Sequence, residues 1–218
     1  MHHTIRTLAA ILLCVTVSTT WGATPAPFRT VHGHTVVSLH DPKVTITLPS
    51  SAAYVGTDHW LLKRYADQIE LFAFVDAKTA RQVQKLYWVQ FEAYLPSRPD
   101  LKHGYGSKRH VTLGGMDFLV DAWVTSTGQS SEEPDSDSAH LKNLLGSAGY
   151  KLPKSTMSVR LVHLMDGKRK ELMYLYSEDT ASTGYSAADL KAGGTAHSHW
   201  PSIQADLIKR AEQSITFH

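Results

Sequence analysis

The chain has 218 residues, with 22 Lys and Arg against 20 Asp and Glu, and a single cysteine. A net charge of +2 over that length offers no basic footprint for nucleic acid. One thiol cannot build a disulfide framework or a cysteine-ligated metal centre.

Arg6 follows Met1-His2-His3, and Leu8 to Val17 is apolar apart from Thr16. Ser18-Thr19-Thr20-Trp21-Gly22-Ala23 then supplies small residues around a cleavage point, so residues 1–23 read as a secretory signal peptide. The apolar run is too short to cross roughly 30 Å of hydrocarbon. The expectation is a periplasmic or secreted protein with no transmembrane segment after cleavage. Cys14 sits inside the apolar block and not behind a lipobox, so it leaves with the leader and the mature chain carries no thiol.

Residues 24–43 read as an N-terminal extension able to form a short strand around Val31 and Thr35-Val36-Val37, and residues 44–218 as a single α+β domain. Val44-Thr45-Ile46-Thr47-Leu48 alternates as a strand that Pro49 ends. A second segment, Ala53-Tyr54-Val55, leads through Gly56-Thr57-Asp58 to His59-Trp60-Leu61-Leu62, and Ile69 to Val75 is a buried strand; these read as consecutive antiparallel pairs. Asp76 stands where a helix cap belongs, and the spacing of Val83, Leu86, Tyr87, Phe91 and Tyr94 predicts a helix over 78–95, stopped by Pro96 and Pro99. Arg98 to His110 is a polar loop. Gly114-Gly115 reads as a hairpin turn into a strand over Met116–Val124.

Thr125 to Ser138 has no apolar face and reads as an acidic, mobile surface loop; its Asp135-x-Asp137 lacks the Gly and closing Glu of a calcium loop. A short helix over His140–Ser147 comes next. Two strands, Met157–Leu164 and Lys170–Ser177, flank an Asp166-Gly167 turn, with apolar residues on both faces. A loop runs to His199. An amphipathic helix over Pro201–Ser214 closes the pattern.

This order of elements, with Val44 to Pro49, Leu113-Gly114-Gly115-Met116-Asp117-Phe118, the Asp166-Gly167 hairpin and the terminal Ser214-Ile215-Thr216-Phe217, resembles the PsbP-like α/β/α sandwich superfamily, which includes DcrB-type bacterial envelope proteins. The likeness covers Val44 to Phe217. It implies an antiparallel β-sheet flanked by helices and binding to proteins or membranes without chemistry. It implies no functional residue and no cofactor.

Histidine stands out, with 13 in the chain. His32-x-His34 and His197-x-His199 are close pairs, and His197 and His199 are the candidate metal ligands, in need of a third from elsewhere. No Gly-x-Ser-x-Gly or His-Glu-x-x-His occurs. Carboxylates such as Glu70, Glu92, Asp117 and Asp121 show no spacing that selects a catalytic pair. Basic residues at Lys102–Arg109 and Lys168-Arg169-Lys170 read as solvated loop charge, with anionic headgroups or an acidic partner as the sharper alternative.

The functional expectation is an exported, non-enzymatic binding protein of the cell envelope that contacts a protein partner or membrane surface, with periplasmic immunity or accessory proteins among the options. The alternative is a metal-binding or metal-dependent periplasmic protein using histidine ligands. The leader reading has a direct check: intact mass of the exported protein should begin at Ala23 or Thr24. A mass that retains Met1, or an acyl group on Cys14, overturns it.

Overall fold

The computed structural model describes residues 28–126 and 133–218; the leader and the centre of the acidic loop lie outside them. In chain order the elements are β1 (Arg29–His32), β2 (Thr35–Ser38), β3 (Val44–Thr47), β4 (Ala53–Leu62), β5 (Asp67–Ala77), β6 (Val83–Tyr94), β7 (His110–Leu113) and β8 (Met116–Ser126). There follow α1 (Asp137–Ser147), β9 (Ser155–Met165), β10 (Lys170–Asp179), α2 (Ala187–Leu190), α3 (Trp200–Gln213) and β11 (Thr216–Phe217). Short 3₁₀ turns connect several of them.

Two antiparallel sheets result, so the fold is mixed α+β with strand predominating. Seven strands run in the order β4-β5-β6-β10-β9-β8-β7, and four in the order β1-β2-β3-β11. The Gly114-Gly115 pair joins β7 to β8 as a two-residue turn, as its chemistry predicts, while Asp166-Gly167 opens a four-residue connection, 166–169, that completes the β9–β10 hairpin with Asp166, Gly167 and Lys168 all at positive φ. Not every neighbour in sequence is a neighbour in the sheet: β3 pairs with β2 and β11, not with β4. The 29–38 segment is a full hairpin of the smaller sheet.

The segment read as a helix over 78–95 is instead the central strand β6, paired with β5 on one side and β10 on the other. Both of its faces are covered. Tyr87, Val89 and Phe91 enter one core and Leu86 and Trp88 the other, so the apolar residues do not alternate with polar ones. A doubly buried strand and a helix segment then look alike by period, and the aromatic and β-branched content favours the strand.

On one face of the large sheet, here the α3 face, Phe74, Phe118, Leu161, Leu172 and Tyr174 pack against Leu207, Ile208 and Ala211 of α3 and against Val36, Ile46 and Phe217 of the small sheet. Arg210 forks onto Glu178 through Nε at 2.8 Å and Nη2 at 3.1 Å and fastens α3 to β10. On the opposite, α1 face, Leu141 and Leu145 cover Leu71, Ala73, Val75, Trp88 and Met173. Ser136 caps α1 by accepting from the Ala139 amide. The α1 face carries the functional candidates.

Gly114 ties the β7–β8 turn to the chain end. Its φ is +55°, and a Cβ there would lie 2.5 Å from Phe217 Cβ and 2.8 Å from the Phe217 carbonyl oxygen. Gly115 has φ +77° but open space around it. Gly115→Ala should therefore cost about 1 kcal/mol from backbone strain alone. Gly114→Ala should cost at least about 2 kcal/mol more, because β11 must also move. Urea unfolding of the two variants measures the difference, and equal losses would contradict the close approach.

Candidate metal centre

Strand register, not sequence spacing, assembles the most unusual cluster in the molecule. Antiparallel pairing sets Trp60, Ile69, Glu92 and Glu171 side by side across β4, β5, β6 and β10 on the α1 face. Two residues earlier on β5, Asp67 pairs with Tyr94 on the same face. Glu92 lies within hydrogen-bonding reach of both the Asp67 and Glu171 carboxyls.

A strap of residues 98–109 closes over this row. The Arg169 guanidinium donates to the carbonyls of Tyr94, Leu95 and Arg98 and anchors the strap's start. The His103 amide donates to the Lys168 carbonyl at 2.8 Å, and the Ser107 hydroxyl donates to the Val120 carbonyl. His103 stacks on Tyr94 with centroids 4.4 Å apart. Tyr105 presents its hydroxyl at 2.7 Å from both Glu171 oxygens, and Arg160 lies over the Tyr105 ring.

Asp67 is 3 % exposed, His103 7 % and Glu171 0 %. Ligating atoms of Asp67, Glu92 and His103 lie within 4.8 Å of one another. His103 Nδ1 sits 3.3 Å from Glu171 Oε2, and the ring also hydrogen-bonds the Arg169 backbone. His103 Nε2 lies 4.0 Å from Asp67 Oδ2, and no hydrogen-bond partner meets it. Asp67 Oδ1 is likewise buried and unpartnered. A buried ring with a carboxylate beside one nitrogen and the other nitrogen unpartnered resembles the arrangement by which proteins orient a metal-binding histidine.

The charge balance points the same way. Among the described residues no Arg or Lys forms an ion pair with Asp67, Glu92 or Glu171. Burial, reinforced by neighbouring carboxylates, raises Asp67 to about 6 and Glu171 to about 7 and drives Glu92 well up. Burial also raises Asp137, which heads α1, and holds His103 down to about 4. Gln90 links the parts: it accepts from Trp88 Nε1 at 2.6 Å and donates to Glu92 and to Asp137. A neutral imidazole and two or three carboxylates form an oxygen-rich N/O ligand set suited to zinc, manganese or iron as divalent ions.

His197 and His199 occupy a 3₁₀ turn before α3, both exposed. His197 Nδ1 contacts the Leu190 carbonyl at 3.1 Å, and His199 stacks on Tyr185. They are not among the converging ligands. His32 contacts the Thr30 hydroxyl on β1. Glu70 pairs with Arg29 and Asp121 with Arg160, while Asp117 is exposed beside His110. Asp137, half of the Asp135-x-Asp137 pair, reaches the cluster through Gln90. Nothing in Lys102-His103-Gly104 announces a buried ring, but Glu171 between Lys170 and Leu172 was a readable signal, an acid inside a strand with both faces covered. No family model matches the chain, and neither the curated proteins nor the solved structures contain a significant match to it.

The raised carboxyls set the pH response of the cation-free protein. Asp67 and Glu171 keep protons in the folded state that an unfolded chain releases near pH 4, so their contribution is full below that value and is lost as pH rises through 6 and 7. His103 acts oppositely, since the unfolded ring binds a proton near 6.5 and the folded ring only near 4; its contribution is lost as pH falls across that window. Above pH 6.5 only the carboxyls act. In chelator, stability should fall above pH 6.5 by less than roughly 1.4 kcal/mol per pH unit for each carboxyl, because Asp67 has by then released most of its proton, and the Asp67 and Glu171 contributions should flatten towards pH 8. Urea midpoints across that range measure it, and a rising midpoint would contradict the buried acids.

Proposed function

We propose that this chain is an exported, non-enzymatic binding protein of the cell envelope, and that the species it binds is a divalent cation held by Asp67, Glu92 and His103, with Glu171 beside them. The observation that carries this reading is the pair of buried atoms without partners, His103 Nε2 and Asp67 Oδ1, on two of the three residues whose ligand atoms lie within 4.8 Å of one another. An orphaned ring nitrogen and an orphaned carboxyl oxygen each cost about 1–3 kcal/mol, and one cation would relieve both. Export follows from the leader, and the PsbP-like resemblance adds the expectation of binding without chemistry. The cation reading keeps the metal-binding alternative and moves it from His197 and His199 to the covered row on the sheet.

With the ion bound, Glu171 would hold His103 in register from beside Nδ1, and the Tyr105 hydroxyl would donate a hydrogen bond to Glu171. Two ionised carboxylates would neutralise a divalent charge. The strap closes the site, as in a structural or storage centre more than an open catalytic one.

Protein purified from its export compartment without affinity tag or chelator should carry about one zinc or manganese per chain by elemental analysis. Stripped protein should gain about 2.7 kcal/mol in an ion concentration a hundred times its dissociation constant. Glu92→Gln and His103→Ala should each lose most of the bound metal, while His197→Ala with His199→Ala should keep it. Absence of metal, with no thermal response to added zinc, manganese or iron, overturns the proposal.

A further inference from the structure

A second site lies on the same α1 face at the other end of β6. Leu86, Trp88, Trp123 and Leu141 wall a pocket of about 220 Å³, and its floor includes Ser158 and Ser177. Trp88 stands four residues, roughly 13 Å, along the strand from Glu92, so the pocket is separate from the cation site and independent of the reading above. The register builds it: Ser158 and Ser177 are direct cross-strand partners of β9 and β10, and Trp123 pairs with Ser158 from β8.

The lining is mixed: Gln84, Lys142, Glu178 and Asp179 share it with the apolar side chains, and the serine pair lies among them. The two serine hydroxyls are 2.8 Å apart and each is only 5 % exposed. Whichever donates, the pair keeps one unspent hydroxyl hydrogen and unused lone pairs. Among the described residues no third group takes them. The walls are already oriented: Trp88 is fixed by its donation to Gln90, and Arg160 lies 5.6 Å from the Trp123 ring.

Size and chemistry select the guest. An apolar cavity of roughly 150 Å³ takes benzene. This pocket is somewhat larger, flanked by two indoles that favour another ring, and it adds one paired hydrogen-bonding group. We infer that it binds a phenol-class molecule, a single aromatic ring whose hydroxyl joins the Ser158–Ser177 pair. That would make the chain a carrier or sensor of a small aromatic compound beside its cation site.

Titration of the full mature protein with 4-fluorophenol and with fluorobenzene, followed by fluorine NMR, tests the inference. Saturable binding of 4-fluorophenol is expected, at least fivefold tighter than fluorobenzene. In Ser158→Ala with Ser177→Ala that preference should vanish while fluorobenzene binding holds, and Trp123→Leu should weaken both ligands. Added zinc should leave both affinities within twofold, which separates this site from the cation site. Failure of 4-fluorophenol to saturate in the unaltered protein, or equal affinity for the two probes, overturns the inference whether or not the variants fold.

Discussion

Two buried carboxyl groups on β5 and β10, with a half-buried third between them on β6, set the terms for the α1 face. A buried acid is tolerated when a cation, a proton or a set of donors replaces its solvent. The same protein shows what its ordinary solution looks like. Glu178, buried on the α3 face, receives the Arg210 fork and the Tyr176 hydroxyl. Glu70 receives Arg29, whose guanidinium lies 3.8 Å over the Phe91 ring. At Asp67, Glu92 and Glu171 no such arginine is supplied, although Arg160 is close and is spent on Asp121. The contrast within one sheet is the strongest argument that the missing positive charge comes from outside the chain.

The donors that are present have been distributed unevenly. Tyr105 serves both oxygens of Glu171, and Gln90 serves Glu92 and Asp137. Asp67 Oδ1 and His103 Nε2 are left over. Gln90 also fixes Trp88, so one side chain orients a ligand of the cation site and a wall of the aromatic pocket. The two sites remain distinct in chemistry: one gathers carboxyls and an imidazole under the strap, the other sets two indoles beside a pair of hydroxyls.

What was legible in the sequence was local. Asp166-Gly167 and Gly114-Gly115 each mark a hairpin in two residues, and Ile203, Leu207, Ile208 and Ala211 state the face of α3. β6 was misread because a strand covered on both sides loses its alternation, and the site was lost with it, since Glu92 on a supposed helix has no cross-strand neighbours. Once β6 is a strand, Glu92 falls between Ile69 and Glu171, and the acid row exists. His103 was invisible for another reason. Its burial depends on a strap fixed by long-range bonds from Arg169 and to Val120, none of which a local pattern encodes.

Ligand provenance decides how such a site behaves. Asp67 and Glu92 belong to paired strands and cannot move independently, whereas His103 rides on the strap. The imidazole therefore reaches an ion only when the strap is down, and the ion's hold on His103 is in turn a hold on the strap. Tyr94 stacking and the Lys168 carbonyl pre-order the ring, which lowers the entropy lost on binding. The carboxyls pull in the opposite direction: without an ion they relieve their crowding by taking protons, so protons and cation compete for the same oxygens. A bound cation would thus release protons, hold the strap down and remove the pH penalty of the buried acids in a single equilibrium, which would couple the stability of the α1 face to the ion.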